Sequence, residues 1–271
     1  MDKGRSAARG ALPVPVALLA LAVGLVAMQV ATVFVLPYGL RPALVASEVT
    51  LALPAVLAAV VFRLSWRTAV GFTALDRRTA LLVALAGATL WAASLGLFEL
   101  QYAIWRPPPG YLEAFRRLHD ALRPKDPADA FVSLVAIAIV PALAEELLVR
   151  GLVLPSLARR LGSAAAIVVS AVLFALLHLD LYRAAFTFAL GIALGILRVV
   201  TGSLTASVFA HALLNTITFV AAPFTDDPSS GFPEARPGLG AGLLAVGGAA
   251  SWWSLRRLSL TARAPLPRLD P

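Results

Sequence analysis

The residues able to do chemistry lie in the second half of the chain, inside its apolar stretches. Glu145 and Glu146 stand side by side in PALAEELLVRG, His178 lies in SAVLFALLHLD and His211 in VFAHALLNTI. A charged side chain at mid-bilayer costs at least about 2.5–3.5 kcal/mol, so acids inside a span mark a functional site by default. Three pairs recur at a spacing of four, which puts both members on one helix face: Glu146 with Arg150, Phe174 with His178, and His211 with Asn215. Neighbouring helical residues point about 100° apart, so the two acids cannot share a role: one can face a site while Arg150 holds the other. Each pair has a plainer explanation, since an acid–base pair can be a clamp and an intramembrane His or Asn can glue helices together. One free carboxylate, two imidazoles and an amide on three separate spans are more polarity than packing needs. Together they point to chemistry done inside the membrane.

The elements that must position these groups are membrane helices. Of the 271 residues 59% are hydrophobic and 14% charged, with a mean hydropathy of +0.84, far too apolar for a soluble globular domain. The absence of cysteine excludes disulfides, thiolate metal ligands, a cysteine nucleophile and thiol lipidation. The net charge of +8 comes from single and paired basic residues at the ends of apolar segments, which is a topology signal and not a nucleic-acid surface. Lys3, Arg5 and Arg9 precede an apolar run, Leu12 to Leu36, that is longer than the roughly 7–15 residues of a secretory signal, so it reads as a retained first helix.

The fold expected is all-α: a polytopic bundle of about eight transmembrane helices, over 12–36, 43–62, 79–98, 131–157, 163–179, 184–200, 203–222 and 238–255. With eight spans the termini share a side, and fifteen of the 23 Lys and Arg residues then fall on that side, which the positive-inside rule makes cytoplasmic. The Ala and Arg richness suits a GC-rich bacterial genome, hence an inner membrane. The loop from Glu99 to Asp129 contains YLEAFRRLHDAL, whose Tyr111, Leu112, Phe115, Leu118 and Leu122 recur at helical spacing and predict an amphipathic helix on the membrane surface. The last outer loop, PFTDDPSSGFPEARPG, reads as irregular and the Pro-rich tail after Leu260 as a mobile end. Gly191 and Gly195 suit a close helix contact. A fifth helix of full length from Ser163 would carry His178 close to the outer surface, away from Glu145, so it is expected to be short or deeply set, with LDLYRAA turning the chain back.

EELLVRG, FALLH and HALLN, in this order, resemble the E-E-x-x-x-R, F-x-x-x-H and H-x-x-x-N motifs of the CPBP intramembrane proteases, which include CAAX-processing endopeptidases and bacteriocin-processing or self-immunity relatives. The likeness covers about Ala130 to Val220, and Val149 stands where an aromatic is common. It implies an intramembrane peptidase in which Glu145 and His178 activate a water, His211 and Asn215 stabilise the oxyanion, and Glu146, Arg150 and Phe174 support them. Preorganised donors in a dry site favour developing negative charge, and losing one typically costs about 100–1000-fold in rate. On this division residues 1–129 are N-terminal helices and the amphipathic outer loop, 130–222 the catalytic helices, and 223–271 the outer loop, last helix and cytoplasmic tail.

A zinc version would use Glu145, His178 and His211 as three ligands with an open position for water. The chain lacks an H-E-x-x-H helix, and the expectation is a glutamate-type reaction without a cofactor. Expected partners are the lipid bilayer and a membrane-associated protein or peptide substrate; nothing in the sequence fixes an oligomeric state. Two rival readings have the same residues in other uses: a non-catalytic membrane scaffold or immunity protein that binds a peptide, and a transporter with a proton relay. There is no Gly-x-Ser-Gly for a serine nucleophile, and no aspartate inside a span for a diaspartyl site.

Overall fold

The computed structural model describes residues 10–221 and 235–261. Residues 223–234 of the last outer loop, the tail after Thr261 and the basic residues Lys3, Arg5 and Arg9 lie outside the described residues. Every regular element among those described is helical: α1 (Val14–Val35), α2 (Leu40–Val61), α3 (Arg77–Ile104), α4 (Pro109–Leu122), α5 (Pro127–Leu177), α6 (Ala184–Thr201), α7 (Leu204–Ala221) and α8 (Pro237–Thr261). Six of them, α1 to α3 and α5 to α7, are long and apolar enough to cross a membrane. The other two are α4, the surface helix anticipated from its period, and α8, which covers the eighth apolar stretch but is diluted by glycines. The chain is a multi-pass integral membrane protein. Its outer face agrees, because Leu19, Val26, Val33, Phe34, Leu81, Val246 and Trp252 are exposed side chains that water would not tolerate in such number.

Two of the eight expected spans are one broken helix. Gly162 interrupts α5 with φ 77° and ψ 163°, a left-handed conformation that costs a residue with a Cβ dearly. The limb after it, Ser163 to Leu177, is about 22 Å long at 1.5 Å per residue, short of the roughly 30 Å hydrocarbon core. The chain then turns: Leu179 has φ 48°, and the Asp180 carboxylate accepts from the backbone N–H groups of Tyr182 and Arg183 at 3.0 and 3.2 Å. The fifth limb is short, as the position of His178 required.

Hydrogen bonds between connections sort the helix ends into two groups. At one end Arg159 donates to Ala11 O, Leu204 N–H to Gly71 O and Ser203 to Thr73 O. At the other, Arg41 pairs with Asp129 at 3.0 Å and donates to Ser133, Gln101 donates to Tyr182 O, and Tyr111 donates to Asp180 at 2.7 Å. Burial and the bond to Asp180 push the Tyr111 phenol up from its ordinary value. Trp105 and Tyr111 also close on the Tyr182 ring, so the surface helix pins the turn that follows His178.

The first limb of α5 is the axis of the bundle, packed by α2 on one side and α7 on the other, with Leu148, Leu152, Leu154, Phe174, Leu194 and Leu204 essentially inaccessible around it. Gly191 and Gly195 of α6 fulfil the expected close contact. A Cβ at Gly191 would lie 2.9 Å from Ala171 Cβ, and one at Gly195 3.1 Å from Ile167.

Candidate active site

The first limb widens just after the acids. Leu147–Val153 is a π-helical stretch, a form that is rare and frequent at functional sites. Its last register is visible in Leu154 N–H, which bonds Val149 O five residues back. The next donor in that register would be residue 155, which is proline and has none. The orphaned carbonyl of Arg150 is taken instead by Arg198 Nε at 3.3 Å, from α6. Arg198, one of the fifteen basic residues expected on the cytoplasmic side, is 1% exposed, with a second bond to Val70 O at 3.3 Å. It braces the irregular turn that carries the motif.

Arg150 and Glu146 pair as their spacing requires. Nη1 donates to Glu146 Oε1 at 2.8 Å with both side chains fully buried, Nη2 donates to Gly191 O at 3.0 Å, and the guanidinium lies 4.3 Å over the Phe174 ring. Phe174 is the hub of the aromatic side of the site, with His178 and His211 both edge-on at centroid distances of 5.0 and 5.9 Å. With Glu146 neutralised, Glu145 is the acid left over, as the 100° offset predicted, and its Oε2 is buried with no hydrogen-bond partner among the described residues.

The two imidazoles are differently committed. His178 Nδ1 lies 3.0 Å from Phe174 O; a carbonyl can only accept, so Nδ1 carries the proton and Nε2 keeps a free lone pair. His211 is buried between the two acids, Nδ1 3.2 Å from Glu146 Oε1 and Nε2 3.9 Å from Glu145 Oε2. Its Nδ1–H is spent on the Glu146 carboxylate, and Nε2 faces Glu145. His178 and Glu145 feel each other's charge but form no direct hydrogen bond or ion pair. Asn215 lies one turn beyond His211 on α7 and is half-buried, with no side-chain hydrogen bond among the described residues. The structure thus joins Glu145, Glu146, Arg150, Phe174 and His211 in one contact network, adds His178 through Phe174, and leaves Asn215 beside it.

Sequence reasoning missed Glu48 of α2, which is an electrostatic neighbour of Glu145 with Oε2 buried and unpartnered among the described residues. An acid inside the second apolar stretch, in VASEVTLAL, was the available signal. Among the described residues no group of three His, Cys, Asp or Glu side chains lies together as metal ligands would.

Residues 127–217 match the family described as type II CAAX prenyl endopeptidase Rce1-like. This segment resembles that family. It carries every one of the three motifs and bears out the CPBP resemblance over the stretch that holds the site, about a third of the chain. No curated protein and no solved structure matches. The Rce1-like segment begins at the first turn of α5 and ends on α7, so α1 to α3, including Glu48, lie outside it.

Proposed function

We propose that the chain is an intramembrane endopeptidase of the CAAX-protease type that hydrolyses a peptide bond of a membrane-associated protein or peptide with a water activated by Glu145 and His178. The observation that carries this reading is the division of labour between the acids: Arg150 neutralises Glu146, and Glu145 keeps a buried, unpartnered oxygen beside His211. Glu145 Oε2 and His178 Nε2 are both acceptors without a donor. No direct hydrogen bond joins the two, and a single water can serve both acceptors. The water gives a proton to this pair as its oxygen adds to the scissile carbonyl carbon; the tetrahedral oxyanion is met by His211 and by the Asn215 amide. Collapse breaks the C–N bond, and the proton passes to the leaving nitrogen.

Glu146 and Arg150 hold the site's shape, and Phe174 packs both imidazoles. On this reading Glu145 and His178 activate the water without a metal. The proposed setting is a bacterial inner membrane with both termini cytoplasmic, supported by the distribution of Lys and Arg. The substrate class includes prenylated CAAX-type chains by likeness to the matched family. The test is a comparison of new N-termini in membrane fractions from cells producing the wild type or Glu145→Ala: peptides that appear only with the wild type support the reading and identify the substrate, and identical patterns refute it.

A further inference from the structure

Two basic runs that the active site does not use meet at one end of the bundle. Arg77 and Arg78 open α3, and WWSLRR closes α8 with Trp253 and Arg257. The two helices run antiparallel along a close seam: a Cβ at Gly247 would lie 2.7 Å from Ala93 N, and the Thr89 and Ser251 hydroxyls lie 2.9 Å apart. That seam fixes which residues of the two ends face each other. Between them lies a cleft of about 480 Å³, lined by Arg77, Arg78, Leu81, Leu82, Trp253 and Arg257. A spacing of four stacks it in two levels. Arg77 and Arg78 stand one turn outward of Leu81 and Leu82, and the Arg257 guanidinium lies 5.3 Å over the Trp253 ring. The floor is apolar and the rim cationic. No acid answers that rim: neither the Arg77 nor the Arg78 guanidinium has a hydrogen-bond or ion-pair partner among the described residues, and the Asp76 carboxylate accepts from the Thr79 hydroxyl and N–H at 2.6 and 3.0 Å. There is no acid in α8, and the one acid of α3, Glu99, lies at its far end, accepting from Arg236 N–H at 2.8 Å.

We propose that this cleft binds one anionic phospholipid of the bilayer, with its phosphate among Arg77, Arg78 and Arg257 and an acyl chain along Leu81, Leu82 and Trp253. The inference is independent of the protease reading. A topology signal needs basic residues only on the right side of the membrane; Arg63 and Arg67, exposed in the connection before α3, meet that need without entering the cleft. Three like charges brought together by two helices repel one another unless an anion lies among them, and guanidinium groups bind phosphate through charge-assisted hydrogen bonds. Arg and Trp at helix ends lie at the headgroup level, so the cleft opens where lipid phosphates are. A zwitterionic lipid offers the same phosphate but brings its own cation toward a rim that already holds three. A free phosphate ion would fill the rim and leave Leu81 and Leu82 uncovered. A lipid bound across both helix ends ties α8, whose seam with α3 rests on glycines, to the rest of the bundle, and so stabilises the fold by mass action.

The experiment titrates the delipidated, detergent-purified full chain with phosphatidylglycerol, phosphatidylcholine or glycerol phosphate, and reads bound lipid by native mass spectrometry and the thermal midpoint. Wild type is expected to retain one phosphatidylglycerol and to gain about 5 °C at saturation, with phosphatidylcholine at least about tenfold weaker and glycerol phosphate without effect. Arg77→Gln with Arg78→Gln should weaken phosphatidylglycerol about 30-fold. Arg63→Gln with Arg67→Gln removes the same charge from outside the cleft and should stay within about twofold of wild type. Equal weakening by the two double variants would reduce the effect to net charge and overturn the proposal. Equal retention of phosphatidylcholine, or glycerol phosphate binding as tightly as the lipid, would overturn it too. If the variant at 77 and 78 fails to fold, Arg257→Gln decides alone: about fivefold weaker binding supports the site, and unchanged binding refutes it.

Discussion

Replacing Arg150 with leucine asks whether the buried pair is scaffold or chemistry. The guanidinium makes three contacts that leucine cannot: the 2.8 Å bond to Glu146, the 3.0 Å bond to Gly191 O and the stack on Phe174. Breaking a buried ion pair by removing one partner costs about 3–5 kcal/mol, most of it the uncompensated charge left behind. Here that charge is Glu146, whose Oε2 already lacks a partner. The bond to Gly191 and the ring contact fall within the same change and are not added to it. At roughly 2–4 °C per kcal/mol for a chain of this size, the thermal midpoint should fall by about 6–20 °C. Glu146→Gln with Arg150→Leu should recover part of the loss, because the double variant buries no lone charge. The assay is the midpoint and monodisperse yield of purified protein, with turnover expressed per folded molecule. A normal midpoint with lost turnover would move Arg150 into the chemistry; a normal midpoint with normal turnover would refute the reasoning about the pair.

Gly247→Ala should lower the midpoint by about 1–3 kcal/mol equivalent through overpacking, because its Cβ would meet the backbone of α3 at 2.7 Å; turnover per folded molecule should hold, and a neutral result would contradict the close α3–α8 seam. Asp76→Ala, at the cap of α3, should lower the midpoint at neutral pH. The Thr79 hydroxyl and N–H hold the Asp76 carboxyl below its ordinary 3.8, so this stabilisation is present above that value and lost as pH falls through the lower folded one. The two proteins should therefore converge in acid, and a constant gap would discount the cap. Carefully chelated protein should keep its activity, whereas about one equivalent of zinc, with recovery on readdition that Glu145→Ala and His211→Ala lack, would restore the three-ligand reading.

The local part of the site was legible because helix geometry is local. Spacings of four forecast the Glu146–Arg150 bond and the Phe174–His178 contact, and the offset between adjacent residues forecast that Glu145 would be the free acid. The short fifth limb followed from a conflict of lengths: His178 could not reach the acids from a full span. What stayed hidden depends on contacts between distant segments. Glu48 neighbours Glu145 electrostatically only because α2 packs against α5, and nothing in its own stretch of sequence pairs it with residue 145. Arg198 looked like an interfacial charge; its burial follows from the carbonyl that Pro155 leaves unbonded, which needs the π-helical register to be known first. A scan for eight apolar runs found the helical stretches, yet could not tell that the fourth and fifth are limbs of one helix hinged at Gly162.

Turnover by Glu145→Ala tests the central claim most directly. On the peptide identified from wild-type membranes, purified Glu145→Ala that elutes as a single species with a near-normal midpoint should show no cleavage above background, since it lacks the only acid that Arg150 does not neutralise beside His211. His178→Ala and His211→Ala assayed alongside should be equally silent, and Asn215→Ala weaker than wild type. Near-wild-type turnover by folded Glu145→Ala would contradict the account.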